Sequence, residues 1–136
     1  MKSLDEILKM DNPSEYLYEY ARENGRLEPK WEELLLSFGD PRWLYFYAYN
    51  IIKERWLEAE KYIKKNPHWT CWYAYDIIKG RWSEAEEIIK KNPAYAYLYV
   101  RDIIKGRWEE AEEHIKKDPY WWRRYNIECP NIMTEL

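Results

Sequence analysis

The chain has 136 residues, 46% of them apolar, enough for one hydrophobic core and short for two. Its 22 Lys and Arg against 25 Asp and Glu leave a net charge of -3, which provides no global positive field for phosphates and disfavours nucleic acid as a partner. No window approaches the ~18 apolar residues of a membrane span, MKSLDEILKM lacks the apolar run of a signal peptide, and two cysteines are too few for a disulfide framework, so a soluble, cytoplasmic chain is expected.

In chain order, residues 1–12 read as a lone helix, with Ser3 and Glu6 spaced as a capping box. Residues 13–40 read as a two-helix hairpin with a long turn from Gly25 to Pro29. From there the sequence repeats. Prolines at 13, 41, 67, 93 and 119 open the units, the last four at a constant spacing of 26, and Trp56, Trp82 and Trp108 keep the same period. Fixed-period self-similarity marks a repeat architecture, and hairpins are predicted over 41–66, 67–92 and 93–118.

Each unit begins with a helix A announced by Asp40-Pro41, Asn66-Pro67, Asn92-Pro93 or Asp118-Pro119. The Asx side chain caps free backbone N–H groups, and proline occupies the first helical position, where it loses no bond. Trp43-Tyr47-Ile51, Trp69-Tyr73-Ile77 and Tyr95-Tyr99-Ile103 form an apolar stripe at helical spacing, with Ala48/Ile52, Ala74/Ile78 and Val100/Ile104 beside it. Gly80 and Gly106 are expected to end helix A through a positive φ, with Glu54 as the exception. Helix B starts near Trp56, Trp82 or Trp108, carries Glu-Ala-Glu early and Lys-Lys late as the helix dipole favours, and buries the Trp, the Ala three residues on, and Ile63, Ile89 or Ile115. Residues 119–136 read as a capping helix A, made polar by Arg123 and Arg124, with an irregular tail from about Ile127. The predicted fold is all-α: short two-helix repeats stacked as an α-solenoid-like single domain.

The run IIKGRWSEAEEIIKKNPAYAYLYVRDIIKGRW resembles a tandem repeat of uncharacterised tailed-phage and bacterial proteins, built on IKGRW, EAE and an Asx-Pro before a Tyr-Ala-rich helix. The match covers about residues 41 to 119. It implies a phage-encoded binding protein acting in the host cytosol.

The residues offer little for catalysis. The four glycines never cluster as a phosphate loop, and His68, His114, Cys71 and Cys129 lack metal-ligand spacing, so no metal or cofactor is expected. Glu-Ala-Glu places carboxylates at i and i+2, on different sides of a helix. An enzyme would need a unique polar cluster, and only His68, Cys71 and His114 supply material, so no catalytic residue is assigned. Arg55, Arg81 and Arg107 are expected to bond neighbouring helix ends or acids such as Asp76 and Asp102, with a row of anion-binding arginines as the sharper alternative.

Aromatic residues reach 18%, with nine Trp and fourteen Tyr but only two Phe, and the core stripe leaves some of them unexplained. Tyr45, Tyr49, Tyr75 and Tyr97 fall off it. With Arg101 they are the candidate contacts of a displayed surface; the bland alternative buries them between successive A helices. The expected function is a non-enzymatic module that binds, and inhibits, a host or bacterial protein. The alternative is a small anionic ligand or nucleotide held by Tyr and Arg between repeats.

Overall fold

In a computed structural model the described residues, 1–129, form helices joined by turns, with no strand among them. Residues 130–136, most of the expected tail, lie outside them. The chain forms two compact units, Met1–Ile63 and Lys64–Leu136.

The first unit contains α1 (Leu4–Leu8), α2 (Pro13–Asn24), α3 (Pro29–Phe38), α4 (Pro41–Tyr47) and α5 (Leu57–Ile63). Ser3 and Glu6 make the expected capping box, at 3.2 and 3.1 Å. Asn12 caps α2 by accepting from the Glu15 N–H at 3.1 Å. Gly25 ends α2 at φ 96°, and Gly39 separates α3 from α4 at φ 61°. A Cβ on Gly39 would meet the Tyr62 ring at 3.0 Å, so glycine there answers both a backbone and a packing demand. Helix α2 packs on α3 and α4, and α4 on α5.

The second unit contains α6 (Pro67–Tyr73), α7 (Glu86–Lys90), α8 (Pro93–Tyr99), α9 (Glu109–Ile115) and α10 (Pro119–Glu128). A 3₁₀ turn, Ser83–Ala85, leads into α7. Here α6 packs on α7 and α8, and α8 on α9 and α10, so each A helix meets its own B helix and the next A helix. The Asx caps form as expected: Asn66 accepts from the N–H groups of His68 and Trp69, Asn92 from Tyr95, and Asp118 from Tyr120 and Trp121, at 2.9 to 3.3 Å.

The core is the aromatic stripe. Tyr47, Tyr73, Tyr99 and Tyr125 are fully buried. Within each hairpin the A-helix tyrosine lies against the B-helix tryptophan, with ring centroids at 5.1 Å for Tyr47–Trp56, 5.0 Å for Tyr73–Trp82 and 5.2 Å for Tyr99–Trp108. Ala59, Ala85, Ala111, Ile63, Ile89 and Ile115 are buried as the spacing predicts. Large rings suit such short helices, which cannot stand alone in water, because each buries much area per residue.

Three expectations are corrected. Helices α4, α6 and α8 each end in a π turn, Ala48–Ile52, Ala74–Ile78 or Val100–Ile104, closed by the N–H of Lys53, Lys79 or Lys105 on the carbonyl of Ala48, Ala74 or Val100 at 2.7, 2.7 and 2.6 Å. A π turn inserts one residue into the helical register and rotates every side chain beyond it. Ala48, Ala74 and Val100, which start the turns, are fully buried as their place beside the stripe predicts, while the paired isoleucines of the turn are only half-buried. The positive φ belongs to Lys53, Lys79 and Lys105, at 63°, 60° and 57°, and Gly80 has none. A Cβ on Gly80 would meet nothing within 4 Å, which explains why Glu54 serves at the same place. At the C-terminal end Ile127 and Glu128 belong to α10 rather than to a tail, and Arg124 does not simply add polarity: its guanidinium lies 5.6 Å from the Tyr97 ring centre.

Candidate functional site

The repeated arginines are placed first by their own hairpins. Arg81 gives Nε and Nη2 to the two oxygens of Glu86, at 2.8 and 2.7 Å. The Tyr99 hydroxyl donates to the same carboxylate at 2.7 Å and accepts the Trp82 backbone N–H at 2.7 Å. The next junction repeats this: Arg107 Nε reaches Glu112 at 3.0 Å, the Tyr125 hydroxyl donates to Glu112 at 2.6 Å, and the Trp108 N–H donates to that hydroxyl at 2.9 Å. Arg55 is held in two bonds by Glu60, at 2.9 and 2.7 Å. The acid is thus the second glutamate of Glu-Ala-Glu, rather than an aspartate such as Asp102, which pairs with Arg101 at 2.9 and 3.0 Å.

Electrostatics follow the geometry. Bonds from Arg81 hold the Glu86 carboxyl below its usual range, with the Tyr99 hydroxyl adding to the effect. Burial, together with donation to a carboxylate, pushes the phenols of Tyr47, Tyr99 and Tyr125 well above their ordinary value. Arg55, Arg81 and Arg107 therefore tie hairpin corners, and an anion would have to compete with a two-point carboxylate at Arg55 and Arg81 and with Glu112 and Asn126 at Arg107.

The off-stripe tyrosines divide. Tyr45 and Tyr97 are buried, at 4% and 1% exposure, whereas Tyr49 and Tyr75 are exposed. Burial removes Tyr45 and Tyr97 from the displayed surface, and for Tyr97 the cause is packing against the next A helix. Tyr97 packs on Trp121 of α10 at 5.3 Å, the guanidinium groups of Arg101 and Arg124 lie 5.8 and 5.6 Å from its ring centre, and its hydroxyl donates to Glu128 at 3.1 Å. Tyr49 stacks on Tyr45 at 5.8 Å, in the first unit.

Tyr75 borders a groove of about 530 Å³ in the second unit. Its floor and walls come from α6, α8 and α10, with Cys71, Trp72, Leu98 and Trp121 supplying apolar surface and His68 and Arg101 at its margins. The sequence repeat explains why it exists. Cys71 stands 26 residues after Tyr45 and 26 before Tyr97, where both neighbouring repeats insert a buried ring. At Tyr97 that ring fills the gap to the next A helix; at Cys71 a thiol leaves it open. His68 partly covers the gap, its Nδ1 3.1 Å from the Tyr95 hydroxyl, and Cys71 Sγ donates to the Tyr95 carbonyl at 3.7 Å. Burial pushes the Cys71 thiol up to about 12, so it contributes shape rather than a nucleophile.

Trp72 is the site residue that sequence reasoning missed. It is 46% exposed on the groove, beside Tyr75 at 50%. Its signal was available: Trp72 comes directly after the one repeat position where tyrosine is replaced by cysteine. Among the described residues no group of three His, Cys, Asp or Glu side chains could hold a metal ion, and no helix is long and apolar enough to cross a membrane. Comparison with protein-family models, curated proteins and solved structures gives no match. The class that fold and site define is an all-helical, aromatic-rich protein with an apolar groove.

Proposed function

We propose that this protein is a non-enzymatic binding module whose aromatic groove docks a protein partner. The observation that carries the reading is the open apolar groove at Cys71, which leaves Trp72 and Tyr75 in contact with solvent. Exposed aromatic rings around a concave apolar surface are what protein partners use as anchor points. The likeness of residues 41 to 119 to phage and bacterial repeat proteins extends the proposal to a phage-encoded inhibitor of a host protein, acting in the host cytoplasm.

One observation favours the small-ligand alternative: Tyr75 and Arg101, from successive repeats, border the same space. Against it, the Arg101 guanidinium is already held by Asp102 through two bonds, so a nucleotide phosphate would have to break that pair.

The test uses Cys71→Tyr, which supplies the ring both neighbouring repeats carry. Its melting temperature should stay within a few degrees of wild type, while capture of a bacterial partner, read by mass spectrometry, should disappear. Undiminished capture by a folded Cys71→Tyr protein would sink the proposal. A thermal shift with nucleotides that Cys71→Tyr abolishes would favour the alternative.

A further inference from the structure

The groove does not end at Tyr75. Past Asp102 and Ile103 it continues into a hollow of about 260 Å³ bordered by Lys79, Gly80 and Lys105. Tyr75, Asp102 and Ile103 line both spaces, so an occupant of one can extend into the other.

The two lysines are equivalent residues of successive repeats, and each is fixed by its backbone. Both have left-handed φ, and both close a π turn through their own N–H. The position from which each side chain leaves the surface is therefore set by a hydrogen-bonded turn. Both are exposed, and neither forms an ion pair among the described residues. Asp102, the one carboxylate lining the hollow among the described residues, is taken by Arg101. The groove thus has an aromatic body and a basic end.

Building on the docking role proposed above, we infer that the occupant is an extended peptide segment of a protein partner that pairs a large apolar side chain with a neighbouring carboxylate. The apolar side chain lies in the space left by Cys71, against Trp72 and Trp121. The carboxylate lies between Lys79 and Lys105. An apolar pocket supplies affinity and a charge at one end fixes the direction of the chain, which is how grooves read short segments. Glycine at position 80, with open space where a Cβ would stand, leaves room for the peptide backbone beside Lys79.

The experiment is selection of a displayed random short-peptide library on the full-length protein, then affinity measurement with the labelled consensus peptide. Expected is enrichment of Trp, Phe or Leu next to Asp or Glu. Trp72→Ala should weaken the consensus peptide by more than about tenfold. Lys79→Glu combined with Lys105→Glu should weaken it by about five- to tenfold and prefer the peptide whose acid is changed to lysine. Neither reversal changes the demand on backbone φ, so the fold is kept. Unchanged affinity after the double reversal, enrichment of apolar peptides without an acid, or no enrichment overturns the inference. If Trp72→Ala still abolishes binding in the first two cases, the docking role survives and only the carboxylate falls. Binding that persists in Cys71→Tyr removes both. A requirement for a phosphorylated side chain in place of Asp or Glu also overturns the stated peptide chemistry.

Discussion

The first unit joins α3 to α4 through Arg26, Leu27, Glu32 and Tyr47; the second joins α7 to α8 through Arg81, Trp82, Glu86 and Tyr99. Their bonds correspond. Arg26 reaches Glu32 at 2.6 and 3.2 Å, the Tyr47 hydroxyl donates to Glu32 at 2.6 Å, and the Leu27 N–H donates to that hydroxyl at 3.0 Å. Yet leucine replaces the tryptophan, and the acid stands six residues after the arginine instead of five. What persists is a phenol that accepts a backbone N–H and donates to an arginine-bound carboxylate. The ring behind it can change, because apolar fill tolerates exchange of shape while a buried donor and acceptor do not tolerate loss of a partner.

That difference sets an order of effects. Trp82→Ala should cost about 3–5 kcal/mol in chemical denaturation and Leu27→Ala about 2–3 kcal/mol, since the smaller side chain leaves the smaller cavity. Equal costs would mean that the tryptophan adds nothing beyond the shared bonds. Tyr47→Phe and Tyr99→Phe should each cost about 1–3 kcal/mol, by the same amount within error, because each strands one N–H. A large inequality would break the equivalence of the two junctions.

The pH dependence separates acid from phenol. Glu86 has a depressed value in the folded protein, so its stabilisation is present above the unfolded carboxylate range and is lost as pH falls through the lowered folded value. Glu86→Gln should flatten that acid limb. The three buried phenols are shifted upward, so their stabilisation is complete below about 10 and declines as pH rises from there. Tyr99→Phe should flatten the alkaline limb in melts monitored by circular dichroism. The smallest effect is expected at the left-handed lysines. Lys53→Gly in the first unit and Lys79→Gly in the second should each stabilise by about 0.5 kcal/mol, relief of side-chain strain exceeding the entropy glycine adds to the unfolded chain.

The same comparison illuminates the groove. Tyr45 in the first unit and Tyr97 in the second are buried at the repeat position where Cys71 leaves open space. The residues expected on display, Tyr45 and Tyr97 among them, are those that leave the stripe facing helix B. That criterion sees one helix at a time. It cannot tell a ring facing solvent from one facing the next A helix, as Tyr97 faces Trp121. Tyr75 and Arg101 do border the groove, while Trp72 escapes the criterion because its neighbours in register, Phe46 and Leu98, are ordinary apolar residues.

By itself the sequence determined the helical class, the Asx-Pro starts, the buried Tyr47, Tyr73 and Tyr99 of helix A, the buried Trp, Ala and Ile of helix B and the period of 26, because capping and amphipathic burial are local or strictly periodic. The tertiary structure decided the rest. The π turns and left-handed lysines carry no residue that requires them, so only the packed chain reveals where the register widens. In the Arg–Glu–Tyr junctions the tyrosine hydroxyl bonds groups 13 to 20 positions earlier, outside its own helix, a proximity that no single-helix period encodes. The groove depends on what is missing at Cys71, and the size of a gap is fixed by the elements around it.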